Sequence, residues 1–288
     1  MVNKKQLFII GNPRSGTSLL RIMLNSHSSI VVPPECGFIQ WWHQKYKDWP
    51  SNFSIYDFVT DLQTSKKIET WEIDFEILVY FLEQSNSKSY GELMFNVIDF
   101  YGRSKHQKIN SEVLGDKNNY YIEHLDLLRR ISPTAKFLII LRDPRDVYCS
   151  YKGIAELKST STYIPKLSQS LESFLRDWRH NHSKILKFLQ IIDANQFTVI
   201  NYEDLVLETK TELVKVCDFL ELSFDENMLK YYKTNDEPKA LLDWKKKTLQ
   251  PPDSSSIGSY KKLLFQSEVK KIESDTFELY KQLKQSIS

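Results

Sequence analysis

Short runs of consecutive apolar residues recur along this chain, and each run is followed by polar loop residues and then by a helical pattern. Three runs are clear: Leu7 to Ile10, Phe137 to Leu141 and Phe197 to Ile200. Continuous apolar runs of this length are typical of strands that are buried on both faces of a parallel sheet. Strands separated by helices form βαβ units, so we expect an α/β fold with a central parallel sheet flanked by helices.

Two long helices are predicted in the second half of the chain. Apolar residues recur at three- and four-residue intervals from Pro165 to Ile192, and a second helical pattern runs from Asp204 to Leu220. No internal repeat or long linker divides the sequence, and its 288 residues are within the range of one large α/β domain. We therefore expect a single domain over residues 1–288.

Composition narrows the classes of protein that the chain can belong to. The net charge of +2, with 26% charged and 41% hydrophobic residues, is typical of a soluble globular protein and does not favour a nucleic-acid partner. No apolar run approaches the roughly 20 residues of a membrane span, and the short stretch before the first run leaves no room for a signal peptide. We expect a cytoplasmic protein.

Cysteine usage favours free thiols. The three cysteines are odd in number and far apart, which does not favour a disulfide framework or a structural zinc site.

The first apolar run leads into a glycine-containing loop and then into an amphipathic segment, which predicts strand, loop and helix. Such a loop directs backbone N–H groups and the positive end of the helix dipole at one point, where an anion can bind. The loop has the glycine spacing of a P-loop, but Thr17 replaces the usual lysine and the positive charge is at Arg14. An ordinary strand-to-helix turn is the alternative.

A second candidate anion site follows the run that ends at Leu141. Pro144 suits the first turn of a helix that Asp143 can cap. Arg142 can present a planar guanidinium to a phosphate, and Ser150 can add a hydroxyl donor. Because ligands of parallel sheets bind at the carboxyl ends of the strands, this site and the first loop are expected at the same edge. A capped helix with surface arginines is the alternative.

Together the two motifs resemble those of sulfotransferases that use 3′-phosphoadenosine 5′-phosphosulfate (PAPS), and the likeness extends over most of the chain. It implies a P-loop-NTPase-like fold in which the first loop holds the 5′-phosphosulfate and the second motif holds the 3′-phosphate. The residues implied for the 5′-phosphosulfate are Arg14, Ser15, Gly16, Thr17 and Ser18. Those implied for the 3′-phosphate are Arg142 and Ser150.

The segment from Val31 to Phe38 resembles the branch of this family that includes tyrosylprotein and many bacterial sulfotransferases. In that branch a glutamate some twenty residues after the loop arginine is the catalytic base, and Glu35 stands 21 residues after Arg14. A carboxylate within reach can take the proton that an acceptor hydroxyl loses as it attacks sulfur. A solvated loop glutamate is the alternative.

Three further elements are implied by the same resemblance. Lys117 matches the lysine of a Gly-Asp-Lys element that contacts the transferring sulfuryl group, although the chain continues with two asparagines where the family often has Thr-Pro. Tyr202 is implied near the adenine or the 3′-phosphate, with a packing role as the alternative. A late loop that closes over the nucleotide is matched less closely by Gly258, Ser259 and Lys261.

The aromatic residues that follow Glu35 have two interpretations. They can line a pocket for the acceptor, or they can belong to the core. They are Phe38, Trp41, Trp42, Tyr46 and Trp49.

The sequence thus predicts transfer of a sulfuryl group from PAPS to an acceptor hydroxyl or amine. Glu35 would act as base, and Arg14 and Lys117 would offset the charge on the sulfuryl oxygens and the departing phosphate. The resemblance does not select among carbohydrate, lipid, peptide and small-molecule acceptors, and no metal is expected.

Two rival functions remain open. One is a P-loop nucleotide kinase with Asp143 on a metal, which the missing loop lysine disfavours. The other is a non-catalytic nucleotide-binding protein, which would not require Glu35.

Overall fold

A five-stranded parallel sheet lies at the centre of the protein, for which a computed structural model describes residues 4–286. The strands are β1 (Lys5–Ile10), β2 (Ile30–Val31), β3 (Val113–Lys117), β4 (Lys136–Leu141) and β5 (Phe197–Asn201). Their order in the sheet is β2-β3-β1-β4-β5, so the first strand pairs with both β3 and β4. The predicted α/β fold with a parallel sheet is confirmed.

Helices connect the strands and flank the sheet. Within the described residues the α-helices are α1 (Thr17–Asn25), α2 (Phe38–Tyr46), α3 (Ile55–Gln63), α4 (Phe75–Ser85), α5 (Tyr90–His106), α6 (Leu125–Ile131), α7 (Pro144–Ala155), α8 (Leu171–Leu189), α9 (Tyr202–Leu207), α10 (Thr209–Phe219), α11 (Tyr260–Leu263) and α12 (Gln266–Lys284). Short 3₁₀ helices occupy Ile68–Trp71, Asn119–His124, Ala194–Gln196, Glu226–Lys233, Lys239–Trp244, Lys246–Leu249 and Ser254–Ser256.

Successive residues of the strands point into two different cores. Phe8 and Ile10 belong to a core that includes buried residues of α2 to α5, α8 and α12. Leu7 and Ile9 belong to the opposite core, with residues of α1, α9 and α10. Both faces of the sheet are therefore covered, which is why the strands read as continuous apolar runs.

The three predicted strands are present, and each is one or two residues longer than its apolar run. Strands β2 and β3 were not predicted. The predicted helix from Pro165 to Ile192 is too long: α8 begins at Leu171, because the Ser170 hydroxyl accepts a hydrogen bond from the Ser173 N–H and caps it there.

The predicted helix from Asp204 to Leu220 is two helices. The chain leaves the helical conformation at Glu208 (φ −122°, ψ 44°), between α9 and α10.

A cleft of about 1180 Å³ opens at the carboxyl edge of the sheet. The loops after β1, β3 and β4 contribute to its walls, together with α9 and residues from Leu241 to Ser259. This is the edge at which parallel α/β sheets bind ligands. Within residues 4–286, the structure holds no helix that combines the length and the apolar character of a membrane span.

Candidate active site

The first loop turns sharply at Gly16, where φ is 101°. A Cβ atom at this position would lie 2.4 Å from the Tyr202 ring, so both the backbone conformation and the close approach require glycine. Helix α1 begins here without a side-chain cap, which leaves the N–H groups of its first turn available to an anion. Thr17 and Ser18 line the cleft beside them.

Arg14 joins the two predicted anion motifs. Its Nε donates to the Ser150 hydroxyl at 2.9 Å, and its Nη2 donates to the Trp244 carbonyl at 3.0 Å. Burial, reinforced by the positive charge of Arg142, lowers the pKa of Arg14 to about 10. The loop after β1 and helix α7 therefore meet through one arginine, as the carboxyl-edge argument predicts.

Arg142, from the second predicted anion motif, hydrogen-bonds directly to Arg14. Its Nη1 donates to the Arg14 carbonyl at 2.9 Å, its Nη2 donates to the Ser256 carbonyl at 3.0 Å, and its guanidinium stacks 4.4 Å from the Tyr202 ring centroid. The Nε of Arg142 is buried and has no hydrogen-bond partner among the described residues. A buried donor left unpaired is costly, so this position favours an added acceptor.

Asp143 has the capping role that the sequence predicts. Its carboxylate accepts from the Arg145 N–H at 2.9 Å at the start of α7, where Pro144 is the first residue. The kinase alternative needs this carboxylate on a metal, whereas here it caps the helix and pairs with the Arg145 guanidinium.

Glu35 is buried and paired, which excludes a solvated loop glutamate. Its Oε2 accepts from Lys117 Nζ at 2.6 Å, and its Oε1 accepts from Lys67 Nζ at 3.1 Å. Burial by itself would raise the pKa of Glu35, but the charges of the two lysines outweigh it and hold the pKa well below its ordinary value. Glu35 is therefore ionised throughout the physiological range.

Lys117 is the last residue of β3, which places it within the sheet rather than on a loop. The preceding residue, Asp116, accepts hydrogen bonds from the Lys117 N–H at 2.7 Å and from the Tyr121 hydroxyl. Burial raises the pKa of Asp116 to about 7, against the opposing effect of these hydrogen bonds. Asp116 thus fixes the end of the strand from which the Lys117 side chain reaches Glu35.

The late loop is fastened to α7 by a residue that the sequence analysis did not single out. The Asp146 carboxylate accepts from Gly258 N–H at 2.7 Å, from the Ser259 hydroxyl at 2.9 Å and from Tyr260 N–H at 3.0 Å. Ser259 lines the cleft, whereas Gly258 and the exposed Lys261 are not among its described lining residues. The loop also borders the cleft through an earlier residue, Ser256.

Most of the aromatic cluster belongs to the core. Phe38 and Tyr46 are fully buried, and Trp49 is nearly so. Trp42 packs against the same core and donates to the Ser65 hydroxyl at 2.8 Å. Trp41 alone of the five residues lines the cleft.

Ser15 is buried in the first loop, with a hydroxyl that has no partner among residues 4–286, and it is not a lining residue of the cleft.

Lys67 was not predicted from the sequence, because it lies outside every recognised motif. It has a left-handed backbone conformation before the 3₁₀ helix at Ile68, and its side chain reaches Glu35. Lysines and arginines outnumber aspartates and glutamates in the cleft lining by eight to five, so the cleft is basic.

This arrangement has known relatives. The sequence model of the Sulfotransferase family matches residues 6–226. The chain belongs to the sulfotransferase family. The resemblance seen in the two anion motifs is thereby confirmed, and membership indicates an enzyme that transfers sulfuryl groups.

Two curated relatives of this sulfotransferase are protein-tyrosine sulfotransferases by name. A Caenorhabditis briggsae protein, provisionally named so, is 25% identical over 236 residues, which are 80% of this chain and 70% of that protein. The Drosophila melanogaster protein-tyrosine sulfotransferase is 23% identical over 232 residues, which are 81% of this chain and 41% of the relative. This sulfotransferase therefore matches less than half of the fly protein.

A solved structure shares the fold of this sulfotransferase. The sulfotransferase domain of the Synechococcus PCC 7002 olefin synthase aligns over 99% of this chain and 95% of that domain, with a TM-score of 0.62 and 19% identity. The parallel sheet, the P-loop-like turn and the flanking helices are thus those of known sulfotransferases.

Proposed function

We propose that this sulfotransferase moves a sulfuryl group from PAPS to an acceptor hydroxyl or amine. The observation that carries the proposal is the 2.9 Å hydrogen bond between Arg14 and Ser150 in one cleft. Arg14 belongs to the seat predicted for the 5′-phosphosulfate, and Ser150 belongs to the seat predicted for the 3′-phosphate. A single basic cleft that contains both seats suits a nucleotide that carries an anion at each end.

The donor-binding roles follow from the residues present. Arg14, Ser15, Gly16, Thr17 and Ser18 would surround the phosphosulfate, and Arg142 with Ser150 would hold the 3′-phosphate. The buried Nε of Arg142, which lines the cleft and has no partner among the described residues, is consistent with a phosphorylated ligand. The donor supplies a sulfuryl group attached to phosphate, which is a stable leaving group.

Tyr202 and the late loop would complete the nucleotide site. The Tyr202 ring lies against Gly16 and under the Arg142 guanidinium, and its hydroxyl bonds the Ser256 hydroxyl at 2.9 Å. Ser259 borders the cleft, so of the three late-loop residues proposed for nucleotide contact it is the best placed. Gly258 and Lys261 would contribute to the nucleotide site indirectly, by shaping the loop that carries Ser259.

Glu35 would accept the proton of the acceptor, while Arg14 and Lys117 offset negative charge. A carboxylate that is paired with two lysines is a weak base, because its proton affinity is low. When the anionic end of the donor attracts Lys117, the carboxylate loses part of this pairing and becomes a stronger base. The ion pair between Lys117 and Glu35 thus links donor binding to proton acceptance.

Acceptor class and location remain proposals. The names of the two relatives favour a tyrosine-containing peptide as the first acceptor to test. Carbohydrate, lipid and small alcohols stay open, and Trp41 with Lys66 would form part of whichever surface receives the acceptor. A cytoplasmic location stays a prediction from the sequence.

Calorimetry with adenosine 3′,5′-bisphosphate, AMP and ATP tests the donor assignment. We expect the bisphosphate to bind far more tightly than either, and Arg142→Ala to weaken it by about 2 kcal/mol, since a charge-assisted pair is lost. Arg179→Ala is the matched control, because Arg179 is half exposed on α8 and pairs at the surface. Equal affinity for AMP would contradict the 3′-phosphate site.

Transfer itself is measured with sulfur-labelled PAPS and a panel of tyrosine peptides, sugars, lipids and alcohols. Label appearing on an acceptor supports the proposal. Tight bisphosphate binding without transfer to any acceptor would favour the non-catalytic alternative, and transfer from labelled ATP would favour the kinase.

A further inference from the structure

A buried chain of ion pairs runs from Arg21 of α1 to the segment from Asp236 to Lys245. Arg21 lies 2.8 Å from Glu237 and 2.9 Å from Asp236, measured between guanidinium nitrogens and carboxylate oxygens. The second oxygen of Glu237 pairs with the Lys245 ammonium. These carboxylates and Lys245 lie beyond residues 6–226, which the family model matches, and none of them was singled out from the sequence.

Lys245 is a buried cation with unused hydrogen-bonding capacity. Its side chain is 9% exposed and lines the cleft. An ammonium group has three N–H donors, and among the described residues that of Lys245 bonds only to Glu237. Burial lowers its pKa to about 8; the Glu237 carboxylate opposes this shift and the charge of Lys117 adds to it.

The backbone that carries Lys245 is held from two sides. The carbonyl of the preceding residue, Trp244, accepts from Arg14 of the first loop at 3.0 Å. Leu241 and Trp244 are buried in a small apolar cluster with Ile154 of α7. The ammonium is therefore presented to the cleft by a rigid segment, beside the loop predicted to hold the phosphosulfate.

The buried charges around Glu35 do not balance. Two ion-paired groups contribute. Arg21 and Lys245 pair with Asp236 and Glu237, and Lys67 and Lys117 pair with Glu35. The charges of Lys117 and Glu35 also act on Lys245. Among these ion-paired groups one positive charge is left over, and the buried Asp116 beside Lys117, whose pKa burial raises to about 7, offsets only part of it at neutral pH. An uncompensated buried charge is costly, and an anion bound in the cleft would offset it.

We propose that Lys245 is a further catalytic residue, whose ammonium binds the sulfuryl oxygens or the leaving phosphate while Glu237 positions it. The inference rests on the proposed function. In the transfer, the bond between sulfur and the phosphate oxygen breaks as the bond between sulfur and the acceptor oxygen or nitrogen forms. The acceptor proton goes to Glu35, and Lys245 stays protonated and stabilises the charge that develops on the phosphate.

The test separates catalysis from folding. Lys245→Met removes the charge at similar length but leaves Glu237 buried with only Arg21, so the single variant can fail to fold. The double variant Lys245→Met with Glu237→Gln removes both charges and keeps a hydrogen-bonding amide beside Arg21. We expect the double variant to fold with a kcat for PAPS lowered about 10- to 100-fold, the loss of a charge-assisted contact.

Two further variants distinguish a catalytic role of Lys245 from a purely structural one. Glu237→Gln alone keeps the ammonium, so its kcat should exceed that of the double variant, and Lys245→Arg should restore part of the activity. Lys246→Met is the control, because Lys246 is exposed in the same region and does not line the cleft. Calorimetry should show a larger loss of affinity for PAPS than for the bisphosphate, which lacks the sulfuryl group.

The outcomes distinguish the two proposals. A double variant with the kcat and PAPS affinity of the unaltered protein would overturn the role of Lys245 and leave the donor assignment standing. Unaltered protein that binds neither PAPS nor the bisphosphate would overturn the proposed function, and the role of Lys245 with it.

Discussion

Glu35 is the residue on which the proposed chemistry most depends, because its carboxylate is buried beside two lysines in the basic cleft. Glu35→Gln keeps the shape of the side chain and removes its basicity. We expect kcat to fall by roughly 10²- to 10⁴-fold with nucleotide affinity nearly unchanged. Steady-state rates with PAPS and calorimetry with the bisphosphate measure the two quantities.

Glu83→Gln is the matched control for that substitution, since Glu83 is exposed on α4. Near-normal kcat in Glu35→Gln would mean that another group takes the proton. Loss of nucleotide binding as well would show that the segment around Glu35 is structural.

The same glutamate makes a prediction about stability. Its pKa in the folded protein is held well below the ordinary value, so the stabilisation is present above about pH 4.5 and is lost as pH falls towards the folded-state pKa. Glu35→Gln should lower the free energy of unfolding by roughly 3 kcal/mol at pH 7, because Lys117 loses its buried partner. Urea unfolding of both proteins at pH 7 and near pH 3.5 should show this difference shrinking; a constant difference would contradict the ion pair.

At the scale of elements, the late loop depends on one carboxylate at the start of α7. Asp146→Asn keeps an acceptor oxygen but removes the charge that holds Gly258, Ser259 and Tyr260. We expect faster amide hydrogen exchange at residues 258 and 260 and about tenfold weaker bisphosphate binding. Asp275→Asn, in α12 and not a lining residue of the cleft, is the control, because it removes a carboxylate whose ion pairs, among the described residues, are only with Lys271 and Arg179. Unchanged exchange in Asp146→Asn would show that the loop is held by other contacts.

How far sequence predicts these elements is clear from the strands. β1, β4 and β5 were found because both their faces meet apolar cores. β3 was missed because Asp116 and Lys117 interrupt its apolar pattern, and their polar groups are satisfied inside the protein by Tyr121 and Glu35. The partner of Lys117, Glu35, lies 82 residues away in sequence. No periodic pattern of apolar and polar residues therefore predicts that the Lys117 side chain is buried.

The residues of the candidate site also divide into those that the sequence predicts and those that it does not. Residues of local motifs, such as Arg14 and Arg142, were found because a loop and its helix are contiguous in sequence. Lys67, Asp146 and Lys245 reach the site through tertiary structure, so only the folded chain shows that they lie there.

For the whole molecule, the balance of charge predicts how the enzyme responds to chelators. A sulfuryl group carries less negative charge than a terminal phosphoryl group, and in the proposed mechanism Arg14 and Lys117, which line the cleft, supply fixed positive charge where it is transferred. Turnover from PAPS should therefore persist in excess EDTA. A strict requirement for Mg²⁺, seen as lost activity that returns when the ion is restored, would favour the kinase interpretation.

The salt bridge from Lys117 to Glu35 also has a consequence for the order in which substrates bind. An acceptor that enters first meets a carboxylate whose proton affinity is suppressed. That carboxylate cannot form a strong hydrogen bond with the acceptor or take its proton before the donor binds. Once the donor is in place and attracts the lysine, the same acceptor meets a competent base. Steady-state kinetics should accordingly follow a compulsory sequence with PAPS as leading substrate, and the bisphosphate product should inhibit competitively against PAPS but not against the acceptor.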